Sequence, residues 1–176
     1  MEPPELTIRP ATESDLEAIN RIHNPEIEFG IATWDTVPWT IDQRRLWFLE
    51  HDELNPVLVA EIAREVVGFA YSSFVSQKHG WRFTREDTIY IDERYRGKRV
   101  ADRLLPALLE RLREIGVRLV IASITSSNEP SIRLHRKYGF EVMGEMKNAG
   151  YKFGQWLSTT YMQADLGEPP PNCRTW

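Results

Sequence analysis

Four positively charged residues lie within a six-residue segment directly before a predicted helix. The segment is Arg94-Tyr95-Arg96-Gly97-Lys98-Arg99, and Val100 and Ala101 follow it. The N-terminus of a helix offers unpaired backbone N–H groups and the positive end of the macrodipole, which together bind phosphate groups. Small residues at Gly97 and Ala101 would let an anion approach that backbone closely. The segment predicts a pyrophosphate cradle, and the alternative is a solvated basic turn before a surface helix.

Four helices are predicted from apolar residues at helical spacing and from capping residues. They begin near Thr12, at Thr40 or Asp42, after the basic segment, and at Asn128. Pro106 interrupts the third helix, and because it removes one internal hydrogen bond we expect a kink or an unusually late start. The aromatic stretch from Pro25 to Thr40 is predicted to be irregular.

Strands are predicted before, between and after these helices. They cover 6–9, 57–60, 66–71, 87–91, 117–123, 140–146 and 157–166. The order is strand, helices, three strands, helix, strand, helix and two strands, which predicts a mixed α/β layer structure. We expect one domain over 1–176, with a core from about 6 to 166 and an extended, mobile Pro-rich tail at 167–176.

The composition argues against several classes of protein. With 22 Lys and Arg against 26 Asp and Glu, the formal charge is −4, which argues against nucleic acid as the main partner. Cysteine occurs once, at Cys173, which excludes an intramolecular disulfide. The four His residues show no ligand spacing, so no metal is implied. Because neither a signal peptide nor an apolar run of about 20 residues is evident, a cytoplasmic protein with no membrane partner is expected.

A second motif gives the basic segment a family context. The stretch Asn128-Glu129-Pro130-Ser131-Ile132-Arg133-Leu134-His135-Arg136-Lys137-Tyr138-Gly139-Phe140 resembles the second coenzyme A motif of the GNAT acetyltransferase superfamily. The basic segment resembles the first motif, Q/R-x-x-G-x-G/A: Arg96 fits its first position and Ala101 its last, whereas Arg99 stands where Gly is usual. The resemblance implies the GNAT fold, with a central, twisted, mostly antiparallel sheet of about seven strands flanked by helices. It also implies acetyl-CoA as the co-substrate.

Within that superfamily the chain resembles the phosphinothricin and methionine sulfoximine N-acetyltransferase family. Three segments carry this resemblance: Thr84-Arg85-Glu86-Asp87-Thr88-Ile89-Tyr90-Ile91, Asn128-Glu129-Pro130-Ser131-Ile132-Arg133-Leu134-His135, and Ala149-Gly150-Tyr151-Lys152-Phe153-Gly154-Gln155-Trp156. Their occurrence together and in order implies transfer of an acetyl group to the primary amine of a small amino-acid-like substrate.

The resemblance also implies chemical roles. Glu86 matches the family's general base, with a surface carboxylate as the alternative. His135 stands where many superfamily members have a Tyr that protonates the leaving thiolate, so it is a candidate acid, with a packed structural His as the alternative. Tyr138 is a second candidate acid, for which core packing is the simpler interpretation. The implied coenzyme A contacts are Ile89, Tyr90, Ile91, Arg96, Gly97, Lys98, Arg99, Val100, Ala101, Asn128, Ser131, His135 and Tyr138.

The implied substrate contacts are Trp34, Lys78, Trp81 and Lys152. Trp34 as a core residue and Lys152 as a solvated charge are the alternatives. Ser158 replaces the family's Asp two residues after the signature Trp, so the pattern is only partly kept. The best prediction is an amino-acid-like substrate with a negatively charged tail.

Two other functions stay open. One is an acetyltransferase acting on protein lysines or N-termini, and the other is a non-catalytic acyl-CoA-binding or sensing protein. Members of the family commonly pair, so a homodimer is expected.

Overall fold

The protein is described by a computed structural model that covers residues 5–169. Its strands are β1 Leu6–Pro10, β2 Val57–Ile62, β3 Glu65–Phe74, β4 Thr84–Ile91, β5 Leu119–Thr125, β6 Glu141–Lys152 and β7 Gln155–Asp165. Its helices are α1 Leu16–Glu28, α2 Ile41–Leu49, α3 Ala101–Glu114 and α4 Glu129–Lys137. Across these residues no helix has both the length and the apolar character needed to span a bilayer. Most of the predicted tail at 167–176 lies outside the described residues.

All seven strands join one sheet in the order β1-β2-β3-β4-β5-β7-β6. Every neighbouring pair is antiparallel except β4 and β5, which are parallel. Helix α3 makes the crossover between these two strands, because parallel neighbours cannot be joined by a tight turn. The prediction of a mixed, mostly antiparallel sheet of seven strands flanked by helices is confirmed.

The parallel pairing of β4 and β5 is short. It runs from Thr84 opposite Leu119 to Asp87 opposite Ala122 and ends there, although both strands continue. The two strands therefore separate in the middle of the sheet and open a wedge. Along this wedge, backbone N–H and C=O groups that would join neighbouring strands become available to a ligand.

The helices divide between the two faces of the sheet. On one face, α3 buries Leu104, Leu105, Leu108, Leu109 and Leu112. On the other face, α1 and β2–β4 bury Leu16, Ile19, Val59, Phe69 and Tyr90. Since successive residues of a strand point to opposite faces, Tyr90 packs towards α1 whereas Ile89 and Ile91 pack towards α3.

Two predicted boundaries were wrong. Helix α1 continues through Pro25 to Glu28, because Ile27 in its last turn is fully buried and the N–H of Phe29 still bonds the oxygen of Pro25 at 2.8 Å. Strand β4 begins at Thr84 rather than at residue 87, because β5 pairs with it from Thr84 and β3 pairs with it from Arg85. Glu86 therefore lies within the sheet and not at a loop–strand junction.

Of the two outcomes expected at Pro106, a kink or an unusually late start of the third helix, the late start was wrong. Helix α3 begins at Ala101 and continues across Pro106. The main-chain oxygen of Asp102, which loses its usual partner to Pro106, accepts a hydrogen bond from the Tyr138 hydroxyl at 2.8 Å. A side chain from α4 thus satisfies the group that the proline leaves open.

Candidate active site

Two adjoining cavities follow the wedge. The smaller, of about 100 Å³, lies between β4, β5 and α4, and the larger, of about 500 Å³, extends from β4 to the N-terminus of α3. The predicted site residues that line one or both are Glu86, Ile89, Tyr90, Ile91, Arg96, Gly97, Arg99, Val100, Ala101, Asn128, Ser131 and His135. Lys98 and Tyr138 line neither. A separate groove of about 750 Å³, between β1, β2, α2 and α3, contains none of the predicted site residues.

The loop before α3 has an unusual backbone. Gly97 has a φ of 74° and Arg99 a φ of 62°, both in the left-handed region. For a residue with a side chain this conformation costs roughly 1–2 kcal/mol. Val100, at the N-cap, provides no side-chain acceptor, so the first N–H groups of α3 face the larger cavity without a cap. The loop has the geometry of an anion-binding helix N-terminus.

The cations of this loop are not all available to a ligand. Arg94 pairs with Asp92 at 2.6 Å and with Glu65 at 2.5 Å. Arg96 pairs with the carboxylate of Glu26 from α1. Lys98 and Arg99 are exposed, and they are the charges of the segment left to meet an anion.

Helix α4 brings its polar residues to the wedge. The side chain of Asn128 caps the helix by accepting from the N–H of Ser131 at 3.3 Å. One helical turn later, His135 is 2% exposed, with its Nδ1 2.8 Å from the main-chain oxygen of Ser131. Both Asn128 and Ser131 also line the two cavities. The cap that fixes the helix therefore also presents polar groups to a ligand.

A buried carboxylate that the sequence analysis did not single out lies against this histidine. Oδ2 of Asp87 is 3.1 Å from Nε2 of His135. Burial alone would lower the pKa of His135, but the hydrogen bond and charge of Asp87 outweigh it and the net pKa is raised. The sequence feature that could have indicated Asp87 was an acidic residue inside a predicted strand, directly after Glu86.

Glu86 faces the other side of the sheet from Asp87. In β4 it alternates with Thr88 and Tyr90, and Thr88 lies opposite Tyr71 of β3. This is the face covered by α1 and α2. Glu86 and Asp87 therefore lie next to the wedge and point to opposite faces of the sheet.

A buried cation lies beneath the face that carries Glu86. Arg44 of α2 is 1% exposed, and its guanidinium lies 4.3 Å from the ring centre of Trp39 and 4.6 Å from that of Trp47. It bonds Oδ1 of Asn20 and Nδ1 of His23, both at 2.8 Å. Burial lowers the pKa of Arg44 to about 10, and burial together with the charge of Arg44 lowers the pKa of His23 to about 3. Among residues 5–169, no carboxylate pairs with Arg44.

Two of the predicted substrate contacts hold the loop after α1. Nε1 of Trp34 donates to Oγ1 of Thr125 at 3.0 Å, at the end of β5. The ammonium of Lys152 donates to the main-chain oxygens of residues 26, 30 and 33, at 3.1, 2.8 and 2.8 Å. Lys152 is 3% exposed, so its interpretation as a solvated charge was wrong. Its three N–H groups are used within the chain.

The other two predicted substrate contacts lie apart from the wedge. Lys78 and Trp81 belong to the loop between β3 and β4 and line neither cavity. Trp81 is 44% exposed. The structure therefore brings the predicted cofactor residues together far better than the predicted substrate residues.

Comparison with known proteins gives this arrangement a family. Residues 16–140 match the sequence profile described as the Acetyltransferase (GNAT) family. The chain belongs to the GNAT family of acetyltransferases. The resemblance read from the two coenzyme A motifs is confirmed.

This GNAT acetyltransferase has relatives of similar length. It is 39% identical over 162 residues to the L-methionine sulfoximine/L-methionine sulfone acetyltransferase of Pseudomonas aeruginosa, a match that covers 91% of this chain and 94% of that protein. A crystal structure of a GNAT superfamily phosphinothricin acetyltransferase from Sinorhizobium meliloti, in complex with acetyl-CoA, is 36% identical with a TM-score of 0.90 and covers 94% of both chains. That of a ribosomal-protein-alanine N-acetyltransferase from Brucella melitensis is 38% identical with a TM-score of 0.88, covering 90% of this chain and 99% of that one.

Proposed function

We propose that this enzyme transfers the acetyl group of acetyl-CoA to the primary amine of a small amino-acid-like substrate, of the methionine sulfoximine or phosphinothricin type. The observation that carries the proposal is the wedge between β4 and β5, which joins an anion-binding helix N-terminus to a polar cleft. The Sinorhizobium meliloti relative, which shares the fold, is in complex with acetyl-CoA. The names of that relative and of the Pseudomonas protein supply the substrate class.

In this proposal the coenzyme lies along the larger cavity. The pyrophosphate meets the N–H groups at Gly97–Ala101, with the exposed Lys98 and Arg99 beside it. Arg96 joins them by exchanging Glu26 for a phosphate oxygen. The pantetheine arm runs beside Ile89–Ile91, where β4 no longer pairs with β5, and meets Asn128 and Ser131 at the start of α4. The thioester then reaches the smaller cavity.

The chemistry requires a base on the acceptor side. Glu86 takes a proton from the substrate ammonium, and the free amine attacks the acetyl carbon. As the tetrahedral intermediate collapses, the nitrogen loses a second proton and the C–S bond breaks, with its electron pair going to the sulfur, which takes up one proton. The products are an amide, the thiol of coenzyme A and one proton released to solvent. No metal takes part in this scheme.

The acceptor side of the wedge suits a small, anionic amino acid. Tyr90 lines the smaller cavity together with Glu86, and Trp34 bonds Thr125, which also lines it. Arg44 lies buried beside Trp39 and makes no ion pair with a carboxylate of the described residues. Asp35 is the carboxylate whose charge acts on Arg44 from a longer distance, with no ion pair between them among the described residues. A substrate carboxylate that approaches this face would be attracted by Arg44.

A second candidate is acetylation of a protein N-terminus, which the name of the Brucella melitensis relative favours. The two candidates differ in the acceptor and not in the coenzyme site. Thiol release from acetyl-CoA should therefore be measured with methionine sulfoximine, methionine sulfone, phosphinothricin, the common amino acids and peptides that begin with Ala. Turnover on the first three supports the proposal, and turnover on peptides alone would replace it with the second candidate.

We also expect two copies to pair. Strand β6 is a sheet edge, and Val142, Met143 and Met146 on it are each about half exposed, at 47%, 46% and 51%. An exposed apolar edge strand favours association with another chain. Light scattering should give the mass of a dimer, and Met146→Lys should shift it towards the monomer.

A further inference from the structure

Both ring nitrogens of His135 are occupied within the chain. Nδ1 lies 2.8 Å from the main-chain oxygen of Ser131, and Nε2 lies 3.1 Å from Oδ2 of Asp87. Because a carbonyl oxygen only accepts, Nδ1 carries a proton. Nε2 and Oδ2 must share a second proton, since otherwise two lone pairs would face each other. Since imidazole is the stronger base of the two, this proton lies on the ring, and the pair is an imidazolium beside a carboxylate that holds one transferable proton.

The side chains of His135 and Asp87 are buried, but both lie against a cavity that a ligand can enter. His135 is 2% exposed and Asp87 is 5% exposed, and the ring of Phe140 packs edge-on against His135 at 4.9 Å. Oδ1 of Asp87 is buried and accepts no hydrogen bond from any described residue. Buried polar atoms are nearly always satisfied, so an open carboxylate oxygen beside a cavity indicates a group that enters it. Asp87 and His135 both line the smaller cavity.

The pair of His135 and Asp87 also lies on the face of the sheet opposite to Glu86. Asp87 follows Glu86 in β4, so the two side chains point to opposite faces of the sheet. In the proposed function Glu86 serves the amine. His135 and Asp87 lie on the face of α3 and α4, where the coenzyme is held, and this is the side from which the thiolate leaves.

We propose that Asp87 is a positioning residue that keeps His135 protonated and fixes its ring, and that this pair supplies the proton for the thiolate leaving from acetyl-CoA. The inference rests on the proposed function. When the C–S bond breaks, its electron pair goes to the sulfur, which takes the proton shared by Nε2 and Oδ2. The pair then holds one negative charge and regains a proton from solvent. The regained proton makes up for the second proton that the nitrogen loses when the amide forms, so the net proton released to solvent is the one that Glu86 takes from the ammonium.

The variant Asp87→Asn separates this role from packing. Asn has the shape of Asp, and its amide N–H can donate to a neutral Nε2, so the hydrogen bond is kept with its direction reversed. The other titratable groups that line the cavity are Glu86 and Tyr90, both from β4. Without the charge of Asp87, burial decides the protonation of His135 and favours the neutral ring.

NMR of the ¹⁵N-labelled histidine rings tests the protonation without acetyl-CoA. In the wild-type protein both nitrogens of His135 should be protonated at pH 7, with a titration midpoint above about 6.5, the ordinary value for histidine, and in Asp87→Asn the midpoint should fall below that value. His135→Gln identifies the signals. A neutral His135 at pH 7 in the wild type, or the same midpoint in both proteins, would overturn the inference.

Kinetics tests the proton transfer. Asp87→Asn should lower kcat by about tenfold or more, keep the KM for acetyl-CoA, and move the high-pH decline of kcat to lower pH. An unchanged kcat and pH profile would refute the role of the pair. A wild-type enzyme that turns over no amine would overturn the proposed function and the proton transfer with it, while the NMR titration separately decides whether Asp87 holds the proton on His135.

Discussion

The hydroxyl of Tyr138 bonds the main-chain oxygen of Asp102 at 2.8 Å, which is the oxygen that the missing N–H of Pro106 leaves open. The same hydroxyl lies 3.1 Å from Oδ1 of Asp102. Tyr138 stands at the C-terminal end of α4, so this contact joins the two helices that flank the larger cavity. The contact favours a structural role for Tyr138 over the role of a candidate acid.

Tyr138→Phe should therefore lower the free energy of unfolding by about 1 kcal/mol and leave kcat nearly unchanged. Urea unfolding measures the first quantity and thiol release the second. In a Pro106→Ala background the Asp102 oxygen regains a helical N–H, so the same substitution should cost less there. Equal costs in both backgrounds, or a large loss of kcat, would contradict the structural role.

Arg99 has a strained backbone and also carries a charge that lines the larger cavity. Two substitutions separate these properties. Arg99→Gly should be more stable than Arg99→Ala by about 1 kcal/mol, because only glycine adopts a positive φ without cost. Both should raise the KM for acetyl-CoA equally if the guanidinium contacts a phosphate. Thermal unfolding and steady-state kinetics provide the two readouts, and an unchanged KM in both variants would show that the charge is not used.

Lys152 should stabilise the loop after α1 and not bind substrate directly. Lys152→Met leaves three main-chain oxygens without their donor and should cost about 2 kcal/mol of unfolding free energy. Hydrogen exchange should quicken at residues 30–34. Lys147→Met, an exposed position on the same strand, is the matched control. Wild-type stability combined with a raised KM for the amine would instead favour a direct substrate contact.

His23 should make the protein sensitive to acid. Burial lowers the pKa of His23 to about 3, whereas a histidine in an unfolded chain titrates near 6.5. Between these values the unfolded state binds a proton that the folded state does not. Stability should therefore fall as the pH drops below about 6.5, by up to about 1.4 kcal/mol per pH unit from this residue.

His23→Asn keeps an oxygen that can accept from Arg44 and removes the titration. Its unfolding free energy, measured by urea at several pH values, should depend less steeply on pH between about 6 and 4. His79→Gln, at an exposed position, should keep the wild-type slope. A variant of His23 with the wild-type slope would exclude this residue as the source of the acid sensitivity.

The order of the helices and strands and the basic loop before α3 could be predicted from the sequence, because each depends on residues that are close together in the chain. The buried leucines of α3 recur at helical spacing, and the Asn128 cap lies within its own helix. The four cations and the single glycine of the 94–101 segment are likewise contiguous in the chain. These signals need no knowledge of distant residues.

The parts of the site that the sequence analysis missed depend on residues far apart in the chain. Asp87 meets His135 across 48 positions, and Arg44 meets His23 across 21. Lys152 reaches carbonyl groups more than a hundred residues earlier. No periodicity predicts which buried polar groups will satisfy one another, because the sheet order that joins them is set by the whole fold.

The most direct test of the proposed reaction is to follow thiol release from acetyl-CoA and the mass of the product with methionine sulfoximine, in the wild type, Glu86→Gln and the exposed control Glu93→Gln. Equal amounts of free thiol and N-acetylated product are expected in the wild type and in Glu93→Gln. In Glu86→Gln the rate is expected to fall by about a hundredfold or more. Wild-type rates in Glu86→Gln would contradict the role of Glu86 as the base, and the absence of an N-acetylated product from any amino-acid-like amine would contradict the proposed acetyl transfer.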